Sequence, residues 1–336
     1  MKLFAAALLI AAPVYASAGP YTLFAGNNVN LEQGTRVTGN VEAGGIVNAK
    51  YQSTVKGNVQ ANGAVNIEQA AVVNGNIESA GKVHMKYQST ATGKVSTSTT
   101  DNVAVTLEQG SVVGNVHHNT GTKLTANWGS SYVSDIVGPV SGPALDVLPG
   151  ATAFSAGTTL FQLNASQTGA LGKGQYGKIN LGFDSTLTLS AGSYYFDSLE
   201  IGGDGKLIFD LAGGAINLYI KNNVSIGQNF EFETINGSAS SIYTETLGNY
   251  DLGINGEWYG TLFGSGANSN LHFNQNSTIG GTFMARNNIQ LDVGSVVTGL
   301  PSQPDKATPG NEIPLPGTFA LMGLGLLALA GSRRRK

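Results

Sequence analysis

The 336-residue chain contains no cysteine. Disulfides, thiolate metal sites and cysteine nucleophiles are therefore excluded, and the fold must be stabilised by other means. Charge is scarce as well, at 12% of residues. The cations do not outnumber the acids, with 18 Lys+Arg against 21 Asp+Glu. If Lys2, Arg333, Arg334, Arg335 and Lys336 are removed by processing, 13 cations face 21 acids and the net charge is −8. Nucleic acid is then excluded as a partner, because binding it rests on basic side chains neutralising phosphates. The apolar runs at the two ends are shorter than the ~20 residues that span a bilayer as a helix.

Glycine, by contrast, is abundant at 47 residues, with many Asn, Ser and Thr. That composition disfavours helices and suits short strands joined by tight turns. A hydrophobic content of 41% with regularly spaced Val and Ile is enough to bury a core, which argues against disorder.

Internal repeats organise the first half. Aligned on Val29, Val47, Val65 and Val83, the segments VNLEQGTRVTGNV, VNAKYQSTVKGNV, VNIEQAAVVNGNI and VHMKYQSTATGKV recur every 18 residues. A fifth copy starts at Val105 after a 22-residue step. Units of this length, with alternating strands of four to six residues and no two-residue hairpin turn, predict coils of a parallel β-helix. Gly39, Gly57, Gly75, Gly93 and Gly114 recur at one phase and are read as corners needing positive φ or close backbone approach.

Within each copy the charge alternates: Glu32, Lys50, Glu68, Lys86 and Glu108. Stacked coils ~4.8 Å apart turn this column into a ladder of opposite charges. The adjacent column alternates too, as Gln33, Tyr51, Gln69, Tyr87 and Gln109. A strictly periodic set is not expected to be catalytic, since catalysis needs one exceptional constellation. Tyr51 and Tyr87 could stack on sugars, but exposed aromatics filling space beside long Gln side chains is the favoured reading. These repeats resemble those of bactofilins from Asn28 to His117, which implies a β-helix and coil-on-coil stacking between molecules.

The metre stops at His117, where Pro139, Pro143 and Pro149 mark a connector. His117 and His118 are read as solvated turn residues. Residues 151–300 keep the β composition with longer, irregular coils, and a sandwich is the alternative. SAGSYYF (Ser190–Phe196), YGTLFGSG (Tyr259–Gly266) and GGTFMARNNIQLDVGSVVTG (Gly280–Gly299) are similar to segments of the microbial ice-binding-protein family. The resemblance implies the fold and not the activity, since no flat Thr-x-Thr array is present.

Catalytic candidates are Asp197, Glu200, Asp204, Asp210, Glu231 and Glu233. Glu231 and Glu233 share a strand face at a spacing that overlaps that of an inverting glycosidase pair, but a pair of solvent-facing acids flanking inward Phe230 and Phe232, as period 2 predicts, is the favoured reading. Asp204 lies in a Gly-rich turn that could offer oxygens to calcium, although no calcium-binding nonapeptide occurs. Trp258 and Tyr259 form an exposed-looking aromatic spot, with packing preferred over glycan contact. No catalytic, cofactor or metal residues are assigned, and the chain is expected not to be an enzyme.

The two ends carry addresses. Lys2 precedes the apolar run Leu3–Val14, and Ala16-Ser17-Ala18 supplies an A-x-A cleavage site, with cleavage expected after Ala18 by signal peptidase. At the other end, Pro314 and Pro316 precede an uncharged run from Gly317 to Gly331 and the cations Arg333, Arg334, Arg335 and Lys336. This order resembles the PEP-CTERM sorting signal of Gram-negative bacteria, with Leu315 where the family has Glu. The resemblance implies processing by an exosortase and transient membrane insertion; a plain short anchor or a buried helix is the other reading.

The expected organisation is a signal peptide (1–18), an 18-residue-repeat β-helix (19–117), a connector (118–150), a second β-helical domain (151–300), a linker (301–312) and the sorting signal with its short transmembrane helix (313–336). The expected function is an exported, non-catalytic surface or matrix protein, with exopolysaccharide or further copies of itself as partners. A carbohydrate-binding or polysaccharide-degrading protein and an ice-binding adhesin are the alternatives.

Overall fold

The computed structural model describes residues 21–299. Ala16 and Ala18, expected at the signal-peptide cleavage site, and Pro314, Leu315, Pro316, Gly317, Arg333, Arg334 and Arg335, expected in the sorting signal, lie outside that range. The described residues form an all-β parallel solenoid whose one helical element is a 3-10 turn at Ala239–Ser241. Each coil contributes strands to three faces, and every strand pair is parallel. The alternating residues dictate this. In VNL, VNA, VNI and VHM the first and third side chains are buried and the middle one points out, the period-2 pattern of a half-buried strand.

Order along the rod differs from order along the chain. The first face is a 13-stranded sheet. In it, Val29–Leu31 is flanked by Val47–Ala49 on one side and by Ile289–Leu291 on the other. The chain thus enters at the middle of the rod and runs to one end, where Lys123–Ala126 is the outermost strand of this face. It then crosses to the opposite end, at Phe161–Leu163, and returns to the middle. On the third face, Tyr21–Ala25 pairs with both Asn40–Ala43 and the end of Thr278–Ala285, so the two halves share one continuous sheet.

Residues 118–137 form a further coil, with Lys123–Ala126 on Val103–Leu107 and Ser134–Val137 on Asn115–His118. The crossing itself therefore spans 138–160, and it lies along the third face. Val140 N–H donates to Asn119 Oδ1, Asp146 N–H to Glu42 Oε2, and Thr152 N–H to Glu245 Oε1. Leu148 packs on the cluster of Tyr21, Phe24, Phe263 and Met284. Phe154 meets Tyr219 and Tyr195 at ring distances of 5.5 and 6.2 Å. The crossing is a strap that covers side chains which would otherwise face water.

Coil length sets core content. The 18-residue coils enclose a narrow core of Val, Ala, Ile and Leu, while the longer coils enclose a wider one filled with aromatics. Trp258 is fully buried there, with ring centroids 5.3 Å from Phe232 and Tyr250 and 6.0 Å from Phe230. The exposed-looking aromatic spot is thus core, apart from half-buried Tyr259.

One turn recurs along the rod with a left-handed residue in each copy. The column reads Ser166, Asp184, Asp204, Asn229, Asn255, Asn276, Gly294, Gly34, Gln52, Ala70, Gln88, Gly110 and Gly129, with φ between +54° and +75°. Glycine at Gly57, Gly75, Gly93 and Gly114 has another cause. Of that phase, only Gly39 has positive φ; at the others a Cβ would overlap the backbone of the glycine one coil earlier. These positions are close approaches between coils, and the left-handed corner lies elsewhere in the repeat.

Candidate interaction surface

The outward side chains stack into ladders because parallel pairing places equivalent residues side by side. On the first face, Asn48 Nδ2 donates to Asn30 Oδ1 and Asn66 Nδ2 to Asn48 Oδ1, each at 2.8 Å. At the preceding turn the side-chain Oδ1 atoms of Asn223, Asn249, Asn270, Asn288 and Asn28 each accept the backbone N–H one coil further on. This ladder crosses from Asn288 to Asn28 without a break. Such bonds satisfy turn N–H groups that no strand reaches.

The charge column forms discrete pairs. Lys50 Nζ lies 2.6 Å from Glu32 and Lys86 Nζ 3.1 Å from Glu68, while Glu108 takes His84 Nε2 at 2.7 Å. Each cation or acid reaches back one coil, so Lys50 and Glu68 do not join. Glu32 also accepts from Gln290 Nε2 at 2.9 Å, and Gln290 in turn donates to Asp292 at 3.1 Å. His272 stands between Asp292 and Asp251, at 3.0 and 3.4 Å. A polar network therefore runs from Lys50 to Asp251 across the junction of the halves. These side chains are partly exposed, and each pair contributes about 0–1 kcal/mol.

The carboxylates considered for catalysis do not converge on an open cleft. Glu231 and Glu233 both bind Lys206, at 3.2 and 2.6 Å, and the Glu233 hydrogen bond is the main reason the lysine pKa is raised. Glu257 sits nearby with its pKa raised by burial and then by Glu231. Tyr259 is pushed up to about 12 by burial and by Glu257. Glu200 pairs with Lys178. Asp197 accepts from Asn222, Asp204 from Asn229, and Asp210 from Asn236; the Asn236 bond and the Ala212 N–H lower the Asp210 pKa. Asp204 thus serves the left-handed column. Among the described residues no group of three or more His, Asp or Glu is placed to hold a metal.

Sequence reasoning missed two groups. His118 is not a solvated turn residue; it is 1% exposed, with Nδ1 2.9 Å from Thr122 Oγ1 and Nε2 3.0 Å from Asp135 Oδ1. Glu42 and Glu245 are buried under the strap, where only the fold brings residues about 100 positions apart together. Burial raises the Glu42 pKa, opposed by the Asp146 N–H and reinforced by the Asp146 charge. Tyr243 donates to Glu245 at 2.9 Å, and its own pKa is driven far up by burial. Arg286 secures the strap by donating to the carbonyl of Pro149 and, at 3.1 Å, to that of Ser265.

The fold and its surface define a parallel β-solenoid with a repetitive, laddered exterior. Residues 312–335 match the PEP-CTERM protein-sorting motif, so the chain carries the signal for exosortase processing and export to the cell envelope or surface. Residues 164–298 match a domain of unknown function, DUF7305. No curated protein matches the sequence. A crystal structure of an ice binding protein from an Antarctic bacterium Flavobacteriaceae is similar at 13% identity, over 88% of this chain and 98% of that one, with a TM-score of 0.29. A likeness of that size carries no inference about ligands. Among the described residues no helix is long and apolar enough to cross a membrane.

Proposed function

We propose that this protein is an exported, non-catalytic solenoid retained at the surface or in the extracellular matrix of a Gram-negative cell, where it acts as a structural or interaction component among exopolysaccharides. The sorting motif at 312–335 is the observation that carries the reading. The exterior supports it: carboxylates are tied to lysines or Asn amides coil by coil, a pattern that builds surface and register. The signal peptide, cleaved at Ala16-Ser17-Ala18, supplies the first export step, and Gly317–Gly331 supplies the transient membrane segment.

Fractionating cells that express the full chain, with and without their exosortase, tests the destination. Wild-type cells should yield a processed chain in the surface or matrix fraction, and exosortase-deficient cells should retain the unprocessed form at the inner membrane. Polysaccharide turnover abolished by Glu231→Gln or Glu233→Gln would refute the non-catalytic role.

A further inference from the structure

The residue preceding each left-handed position stands at the outermost edge of its turn, and these residues align along the rod. Their register follows from backbone hydrogen bonds. Asn229 N–H donates to Ile254 O, Asn255 to Gln275 O, Asn276 to Val293 O, Gly294 to Gln33 O, Gly34 to Tyr51 O, Gln52 to Gln69 O, Ala70 to Tyr87 O and Gln88 to Gln109 O. Trp128, directly before left-handed Gly129, is the next member. From Gln228 onward the ridge reads Gln, Ile, Gln, Val, Gln, Tyr, Gln, Tyr, Gln, Trp, and the alternation passes the junction between Val293 and Gln33 undisturbed.

The apolar members of this ridge are all exposed: Ile254 and Val293 at 42%, Tyr51 at 37%, Tyr87 at 38% and Trp128 at 83%. Packing does not require the alternation, because Gln occupies the same turn at every other coil. A long exposed apolar series on a surface rich in short polar side chains marks a contact site. Its aromatic part has a fixed metre. Coils stack at ~4.8 Å, so the platforms at Tyr51, Tyr87 and Trp128 recur at about 9.6 Å. Between them, Gln69 and Gln109 present amides that both donate and accept, and Lys50 and Lys86 flank the two tyrosines.

We infer that this edge is a binding track for an extended β-1,4-linked polysaccharide, read one disaccharide at a time. In such a chain the disaccharide repeat is close to the two-coil spacing, and every second pyranose turns the same C–H face to one side. That face stacks on an aromatic ring, as apolar groups do on an aromatic face, while the intervening sugar offers its hydroxyls to Gln69 or Gln109. A chain with flexible 1,6 linkages has no such fixed repeat and does not match the track. The inference rests on the proposed surface role and names the polymer class for it.

Retention of the full-length chain on microcrystalline cellulose and crystalline β-chitin, with α-1,6-linked dextran as control, tests the track. The wild type should bind at least one β-linked solid and not dextran. Tyr51→Gln/Tyr87→Gln/Trp128→Gln should bind at least tenfold more weakly, and Val147→Ala, in the strap, should bind as the wild type does. The triple variant extends the existing Gln column, and each single Gln variant should lose part of the binding if the triple variant fails to fold. Equal retention of wild type and ridge variants, no retention on either β-linked solid, or equal retention on dextran would overturn the proposal. So would ridge-dependent inhibition of ice recrystallisation without glycan binding. Surface delivery of the ridge variants is followed in parallel: normal delivery with lost binding supports the track, whereas a wild type that fails to reach the surface refutes the export role instead.

Discussion

Gly294 donates its backbone N–H to the carbonyl of Gln33 at 3.0 Å, across the junction where the last described coil meets the first. Three pairs of strands repeat this relationship on the three faces, through Leu23↔Phe283, Leu31↔Leu291 and Val37↔Val297. The junction is therefore built as any other coil–coil contact in the rod, and covalent continuity is supplied only by the strap. A protease site inserted after exposed Ser141, once cut, should leave the two halves co-eluting in size-exclusion chromatography under native conditions. The midpoint of unfolding should become concentration-dependent after the cut, as for any associating pair. Separation of the halves in native buffer would contradict this account.

Glycine substitutions should separate close approach from backbone conformation. Gly281 has φ +132° and a Cβ there would overlap the carbonyl of Gly260, so Gly281→Ala should destabilise by about 3 kcal/mol or more. At Gly34, φ is +70° and no heavy atom lies within 4 Å of an added Cβ. Gly34→Ala should cost only about 1 kcal/mol, since Ala70 already occupies the same column. Urea unfolding of both variants measures the contrast.

These cases show where the sequence was legible. The first four copies were readable because they recur every 18 residues, which exposes every column at once, and the fifth keeps the same motif after a 22-residue step. In the second half the steps between Asp184, Asp204, Asn229, Asn255 and Asn276 are 20, 25, 26 and 21 residues. The insertions fall in turns, so the inward pattern survives but the metre does not. The recurring feature there is a left-handed Asp or Asn, which tolerates αL for the same reason it forms turns. The Gln/Tyr alternation could be read from Gln33 to Gln109, but its continuation through Trp128, Val293 and Ile254 needed the register. The strap was opaque altogether: nothing local to Glu42 or Glu245 announces a partner about 100 residues away.

Burial under the strap gives Glu42 a measurable pH signature. Its folded pKa is raised, chiefly by desolvation, so the folded state holds the proton more tightly than the unfolded chain does. The resulting cost is fully present above the raised folded pKa and is relieved as pH falls toward the ordinary carboxylic-acid value. Glu42→Gln keeps an oxygen to accept the Asp146 N–H and removes the charge. It should be more stable than wild type at pH 7, and the difference should vanish near pH 4, as followed by thermal melts across that range.

Trp258 is the centre of the wide core, in contact with Phe209, Phe230, Phe232 and Tyr250. Trp258→Ala should cost about 3–5 kcal/mol. Because each coil contacts only its neighbours, the loss should be concentrated in the surrounding coils. Hydrogen exchange should accelerate most in 206–283 and least in the Val47–Val95 coils. Uniform acceleration along the rod would show that the solenoid unfolds as one unit.

Leu315 lies within residues 312–335, which match the sorting motif, at the position where the resemblance implies Glu. An acidic side chain between two prolines differs from Leu in charge and not in backbone constraint, since Pro314 and Pro316 fix their own φ in either case. Any effect of Leu315→Glu therefore reports recognition of the side chain by the processing enzyme. The fraction of processed chain at the surface should rise in exosortase-containing cells and remain unchanged in cells that lack the enzyme. Release of unprocessed chain from the membrane in both strains would instead assign the effect to altered membrane insertion of Gly317–Gly331, because a carboxylate at the edge of a short apolar segment disfavours its entry into the bilayer.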